Sequence, residues 1–218
     1  MIQISNIIEK EKTDLEVLKS EIKQKRMIIN IDSGSFKELF LIQLNKLIAS
    51  RNIERSFEIT DENKEIINQV FYYCTGNEDK FTGNLSKGIM LIGKNGVGKT
   101  LILKAYCNII TLLSNKNVYQ IHAKKLQSTI RKDGFEFFEK RPLFIDDIGK
   151  ESKEVNDYGT IILPIADLMA LRYDNGALTF TTCNFNLSTL TEFYGITTTD
   201  RFKEMFNIIE LKGESFRK

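Results

Sequence analysis

The sequence predicts an α/β protein built on a parallel, five-stranded sheet with a helical segment before it. Three observations carry that reading. Residues 88–113 run from a short apolar strand through a glycine-rich loop into an apolar-periodic helix. Leu143-Phe144-Ile145 is a second apolar run and ends in Asp146-Asp147. Past residue 86, strand-like and helix-like stretches alternate, and alternation of this kind builds a parallel sheet covered by helices.

The elements follow in order. Residues 4–25 read as one charged helix with apolar positions Ile4, Ile7, Ile8, Leu15, Leu18 and Ile22. Asp32-Ser33-Gly34-Ser35 breaks it and starts a strongly apolar helix from Phe36 to Ala49. These helices belong either to a prefix packed on the core or to an arm for partner binding or oligomerisation, and residues 1–57 are set apart from a domain at 58–218. Thr60 caps a helix over 63–74. Five strands are expected at 88–92, 118–122, 142–146, 178–183 and 208–211. Helices are expected at 101–113, 124–131, 161–173, 188–194 (stopped by Gly195) and 200–206.

Composition narrows the class. At 218 residues, 42% hydrophobic and 28% charged, the chain can build one sizeable core. A net charge of +2 requires any nucleic-acid footprint to be local. No apolar stretch is long enough to span a bilayer, and Cys74, Cys107 and Cys183 form neither a metal pattern nor a disulfide framework. A reducing cytoplasm fits. The single histidine, His122, reads as a structural residue at a strand end.

The loop itself is the most specific signal. Gly93 to Thr100 matches G-x-x-x-x-G-K-[ST], the P-loop pattern. In such a loop the backbone of Gly93, Lys94, Asn95, Gly96, Val97, Gly98, Lys99, Thr100 and Leu101 wraps a phosphate chain. Glycines permit the close approach, and the helix that follows turns its positive dipole end toward the anion. Lys99 reaches the terminal phosphates of ATP, and the Thr100 hydroxyl faces Mg²⁺.

A second set completes a hydrolytic site. Asp146, at the carboxyl end of its strand, holds Mg²⁺ with Thr100, and Asp147 polarises the attacking water. One strand separates the P-loop helix from this strand in sequence, as in the additional-strand ATPases. The next strand ends Thr181-Thr182-Cys183-Asn184; an amide there reaches the water or the terminal phosphate. Asp146-Asp147-Ile148-Gly149 also satisfies the D-x-x-G pattern of GTPases, but the base-reading N-K-x-D motif is missing. A small-molecule kinase would not need the extra strand or the sensor amide, and the complete set of Lys99, Thr100, Asp146 and Asp147 argues against a nucleotide-gated binding module without turnover.

Together these residues resemble the AAA+ ATPases of the replicative-helicase-loader type (DnaC/DnaI-like). Ile145-Asp146-Asp147-Ile148-Gly149-Lys150-Glu151, Arg172-Tyr173 and Asp200-Arg201-Phe202 carry the resemblance over about residues 58–217. It implies that Asn184 is sensor 1, Arg201 an arginine finger acting in a neighbouring subunit, and Arg217 a sensor-2-like nucleotide contact. It further implies ATP-dependent homo-oligomerisation and delivery of a replicative helicase onto single-stranded DNA. A transposition helper ATPase (IstB-like) shares nearly all these motifs. Two departures stand out: Asp147 replaces the commoner Glu, and the segment after Leu211 is too short for a full helical lid. Basic and aromatic residues interleave from Lys124 to Arg141, which suits either a single-stranded-DNA surface or a solvated helix followed by core phenylalanines.

Overall fold

The computed structural model describes residues 4–114, 116–157 and 160–216. Its centre is a parallel sheet of β1 (Gly88–Ile92), β2 (Tyr119–His122), β3 (Leu143–Ile148), β6 (Thr179–Cys183) and β7 (Phe206–Glu210), in the order β2-β3-β6-β1-β7. A short antiparallel ribbon, β4 (Val155–Asp157) with β5 (Thr160–Ile162), stands apart from it. The strand lying between β1 and β3 is therefore β6. The strand that separates them in sequence, β2, lies at the sheet edge. The interposed strand is the one that ends beside Asn184.

Both faces of the sheet are covered, because strand residues alternate between them. Ile89 and Leu91 of β1 join one core with Phe144 and Phe180, whereas Met90 and Ile92 join the other with Ile145 and Cys183. The first core is closed by α2 (Ser33–Ala49), α3 (Asp61–Thr75) and α4 (Lys99–Leu113). The second is closed by α5 (Ala123–Asp133), the one-turn α6 (Glu136–Glu139), α7 (Pro164–Asp174), α8 (Leu187–Tyr194) and α9 (Ile196–Met205). Helix α1 (Ile4–Lys25) joins neither: every residue from Ile4 to Glu21 is exposed.

The local signals act as their chemistry dictates. Asp32 caps α2, accepting from the backbone N–H of Gly34 at 2.9 Å and of Ser35 at 3.0 Å. Phe36, Phe40, Leu44 and Ile48 of α2 are buried in the same core as α4. Thr60 and Asn63 form a capping box at α3, which Gly76 ends in a left-handed conformation at φ +67°.

Several expectations are corrected. The helix expected over 161–173 starts at Pro164, and residues 160–162 form β5 instead. Proline disfavours the α conformation in the residue before it, and Leu163 has φ −114°, ψ 77°. The helix expected over 200–206 begins at Ile196, and Phe206 starts β7. The strand expected over 142–146 runs on to Ile148. Of the phenylalanines after α5, Phe138 is fully buried and Phe135 packs against the core; Phe137 is partly exposed beneath the Arg141 guanidinium, 3.8 Å from its ring centre. This stretch is thus mostly core rather than a row of open stacking rings.

Candidate functional site

The strand β1 delivers the chain into the loop at the carboxyl edge of the sheet. Gly93, Gly96 and Gly98 all have positive φ, at +141°, +88° and +100°. A Cβ on Gly93 would lie 2.3 Å from the Leu211 carbonyl oxygen, and one on Gly96 would lie 2.0 Å from Ser215 Oγ. Glycine is thus demanded by both backbone conformation and crowding. The crowding comes from the segment after β7, which folds back along the loop. Leu211 N–H donates to the Ile92 carbonyl at 2.8 Å and Phe216 N–H to the Gly96 carbonyl at 3.1 Å. Arg217 lies outside the described residues.

Lys99 opens α4 and is 5% exposed. Its Nζ donates to the carbonyls of Gly93 and Lys94, each at 2.7 Å, and to Asn184 Oδ1 at 2.8 Å. Burial pushes the ammonium below the ordinary lysine value, and the nearby Asp147 charge opposes that shift. At the next residue, Thr100 Oγ1 donates to Asp146 Oδ1 at 2.7 Å.

The two aspartates reach this cluster by an irregularity in β3. Successive strand residues ordinarily point to opposite faces. Here Ile145 pairs with Thr181 but Ile148 pairs with Cys183, so β3 carries one extra residue relative to β6. Asp147, within that bulge, has φ +68°, a left-handed conformation that few non-glycine residues adopt. Thr182 holds the distortion: its Oγ1 donates to Asp146 Oδ1 at 2.8 Å and accepts from Asp147 N–H at 2.8 Å. Asp147 Oδ1 consequently accepts from Asn184 Nδ2. Asn184 therefore joins the loop lysine to the second aspartate, offering its oxygen to the cation and its amide hydrogens to the anion.

Other groups surround the pair. Lys104 Nζ lies 3.5 Å from Asp146 Oδ2, and Lys150 Nζ 2.6 Å from Asp147 Oδ2. His122 Nε2 stands 3.8 Å from the same Asp147 oxygen while its Nδ1 accepts the Lys124 N–H at 3.2 Å, capping α5. Its structural role is as expected from the sequence; its place beside Asp147 is not. That position follows from the register, which pairs His122 with Asp146. Behind the bulge, Glu151 Oε2 accepts the Gly149 N–H at 2.8 Å, and Tyr194 donates its hydroxyl to Glu151 Oε1. Burial raises the Glu151 carboxyl above the usual range. Thr182, Lys104, Lys150, His122 and Glu151 were not legible as site residues. A Lys four residues beyond Thr100 on one helix was the one available hint, for Lys104.

Thr100 and Asp146 present hard oxygen atoms side by side, the donor type Mg²⁺ accepts when it binds through one or two protein ligands, phosphate oxygens and water. Beside the loop lies a cleft of about 380 Å³, lined by Gly98 and Leu101 on one side and by Arg55, Phe57 and Phe216 on the other. Arg201, on α9, forms no hydrogen bond or ion pair with the cluster among the described residues; it sits near Tyr173.

A glycine loop opening a helix after β1, paired aspartates on β3, and the interposed β6 leading to a polar amide define a P-loop α/β fold with an inserted strand. Solved helicase loaders have a similar fold. The DnaC helicase loader shares 20% identity over 73% of this chain and 95% of its own, with a TM-score of 0.56. DnaI shares 21% over 83% of this chain and 93% of its own, with a TM-score of 0.59. No protein-family model and no curated protein sequence matches the chain. Among the described residues, no helix is long and apolar enough to cross a membrane.

Proposed function

We propose that the protein is an Mg²⁺-dependent AAA+ ATPase that acts in DNA replication by loading or remodelling a replicative helicase on single-stranded DNA. The observation that carries the ATPase reading is the convergence of Lys99, Thr100, Asp146, Asp147 and Asn184 from three separate elements. The fold likeness to solved helicase loaders supports the replication reading.

In this proposal the loop amides and Lys99 hold the β- and γ-phosphates. Thr100 and Asp146 would hold Mg²⁺, which supplies charge neutralisation between the phosphates. The base and ribose occupy the cleft beside Phe57 and Phe216. Asp147 orients the attacking water and accepts its proton, and Asn184 fixes the carboxylate that does so. To act, Lys99 must exchange the Gly93 and Lys94 carbonyls for phosphate oxygens, and Asp147 must exchange Lys150 for water. Helix α9 would present Arg201 to the site of a neighbouring subunit, and Arg217 would contact the nucleotide. In this reading residues 1–57 precede the ATPase domain at 58–218, with α1 as the partner-binding or oligomerisation part, while α2 and Phe57 pack into the domain's core.

Calorimetry should show tighter binding of Mg-ATP than Mg-GTP; equal affinities would remove the adenine assignment. The assembly claim is tested by mixing. Arg201→Ala should bind ATP but hydrolyse it poorly, since a finger is worth ~10³–10⁵ in rate. Lys99→Ala subunits retain the finger but lack a working loop. Mixed and shown to co-assemble, the two should recover part of the activity each lacks. No recovery would mean that Arg201 does not act across a subunit boundary. Stimulation of turnover by single-stranded DNA, and its loss with added salt, would support the nucleic-acid part.

A further inference from the structure

We propose that α1 is a self-association helix that pairs in parallel with the same helix of a second copy. Four of its six exposed apolar residues from Ile4 to Leu18 fall on one line, with Ile7 bordering it and Val17 off it. Ile4, Ile8, Leu15 and Leu18 are separated by alternating steps of four and three, counting Glu11 as one step, and the sequence continues the spacing to Ile22. That period makes the narrow seam of a two-stranded coiled coil rather than the wider face of a helix lying on a globular body. The body leaves the seam uncovered: these four side chains are between 51% and 73% exposed. At 22 residues α1 extends about 33 Å. A helix without tertiary contacts has little to stabilise it in water, so the seam calls for a partner.

The flanking charges say which partner. With Ile8 and Leu15 taken as the first seam position of each heptad and Ile4, Glu11 and Leu18 as the second, one flank carries Ile7, Asp14 and Glu21 and the other Ser5, Lys12 and Lys19. In a parallel pair each flank meets the opposite flank of the other chain, and Asp14 faces Lys19 of the second copy, five residues on. In an antiparallel pair acid would meet acid and lysine would meet lysine. The helix is thus complementary to itself in one direction only. Lys19 now contacts Glu16 of its own helix at 2.7 Å, an exposed pair of little worth that a cross-chain partner can replace. Glu11 would face its own copy in the seam, which keeps the pairing weak and reversible. Arg26 donates to Glu78 at 2.8 Å just past the helix, so parallel pairing gathers two bodies at the same end.

The test uses the full chain without nucleotide, so that its outcome is separate from ATP-driven assembly; Lys99→Ala should pair as the wild type does. Sedimentation equilibrium should show a reversible monomer–dimer exchange. Lys19→Glu should weaken it about tenfold, the double change Asp14→Lys with Lys19→Glu should restore it, and Glu11→Leu should tighten it. Orientation is read by cross-linking, because Cys74, Cys107 and Cys183 are all buried. Ile8→Cys and Leu18→Cys should each give a disulfide-linked dimer under mild oxidation, and Val17→Cys, off the seam, should not. A chain that stays monomeric, a dimer indifferent to these changes, or linkage at only one of the two seam positions would overturn the proposal.

Discussion

The two halves of the site are built in different ways. The half proposed to hold phosphate is contiguous in its backbone: strand, loop and helix from Gly88 to Leu113 carry Gly93, Gly98, Lys99 and Thr100, the segment at 211–216 packs on the loop, and only the side-chain tips of Lys99 and Thr100 reach distant partners, Asn184 and Asp146. The half proposed to be hydrolytic is assembled from β2, β3 and β6, and the place of its Asp147 carboxylate depends on a bulge that only pairing can create. A contiguous half tolerates change elsewhere in the chain. An assembled half is sensitive to the partners that hold it, so binding and hydrolysis should be separable by mutation.

The sharpest contrast sets Asp147 against Lys99. Asp147→Asn removes the proposed proton acceptor but suits the left-handed backbone, which asparagine tolerates. Turnover should fall ~10²–10⁴-fold while calorimetric ATP affinity stays near that of the wild type. Lys99→Ala should instead act on binding itself, weakening ATP affinity by ~2–5 kcal/mol, and turnover with it, with the protein still folded by circular dichroism. If both variants lose binding and turnover together, the two halves are not separable.

A smaller effect is expected one shell out. Thr182→Val keeps the β-branched shape in β6 but leaves the Asp147 N–H without its acceptor, a loss worth ~1–3 kcal/mol. Thermal stability should drop accordingly, and turnover should fall more than ATP affinity. Equal losses in both would show that Thr182 supports the whole edge of the sheet and not the bulge in particular.

The smallest effect is a pH-dependent one. Folded Glu151 holds its proton more tightly than the unfolded chain does, because burial penalises the carboxylate. Its contribution to stability is complete below the ordinary glutamate value and is lost as pH rises through the raised folded value. Glu151→Gln does not titrate. Melting experiments should therefore find the variant gaining on the wild type across that window and level on either side. A difference independent of pH would show that the Tyr194 and Gly149 hydrogen bonds dominate and burial does not.

Much of this was legible in the residues. Asp32 and Thr60 cap helices where short polar side chains before apolar periods should, and Gly93 to Thr100 encodes its own geometry. Ile161 and Ile162 suit a helix and a strand equally, so their pattern extends the helix past its true start at Pro164, where the proline keeps Leu163 out of the helical conformation. The phenylalanines after α5 look alike in sequence. Only packing decides that Phe138 is core while Phe137 carries an arginine.

Sequence by itself determined the α/β class, the glycine loop that opens a helix, and the presence of two aspartates and an amide at strand ends. These depend on interactions within a few residues: backbone freedom at glycine, side-chain period, and the reach of a cap. Tertiary structure decided which strand lies between the aspartates and the loop, that both carboxylates meet one cluster, and that His122, Lys104, Lys150 and Thr182 surround them. It also decided that α2 is core and α1 is not. Those outcomes turn on strand register and on which faces find partners, and both are settled between segments far apart in the chain.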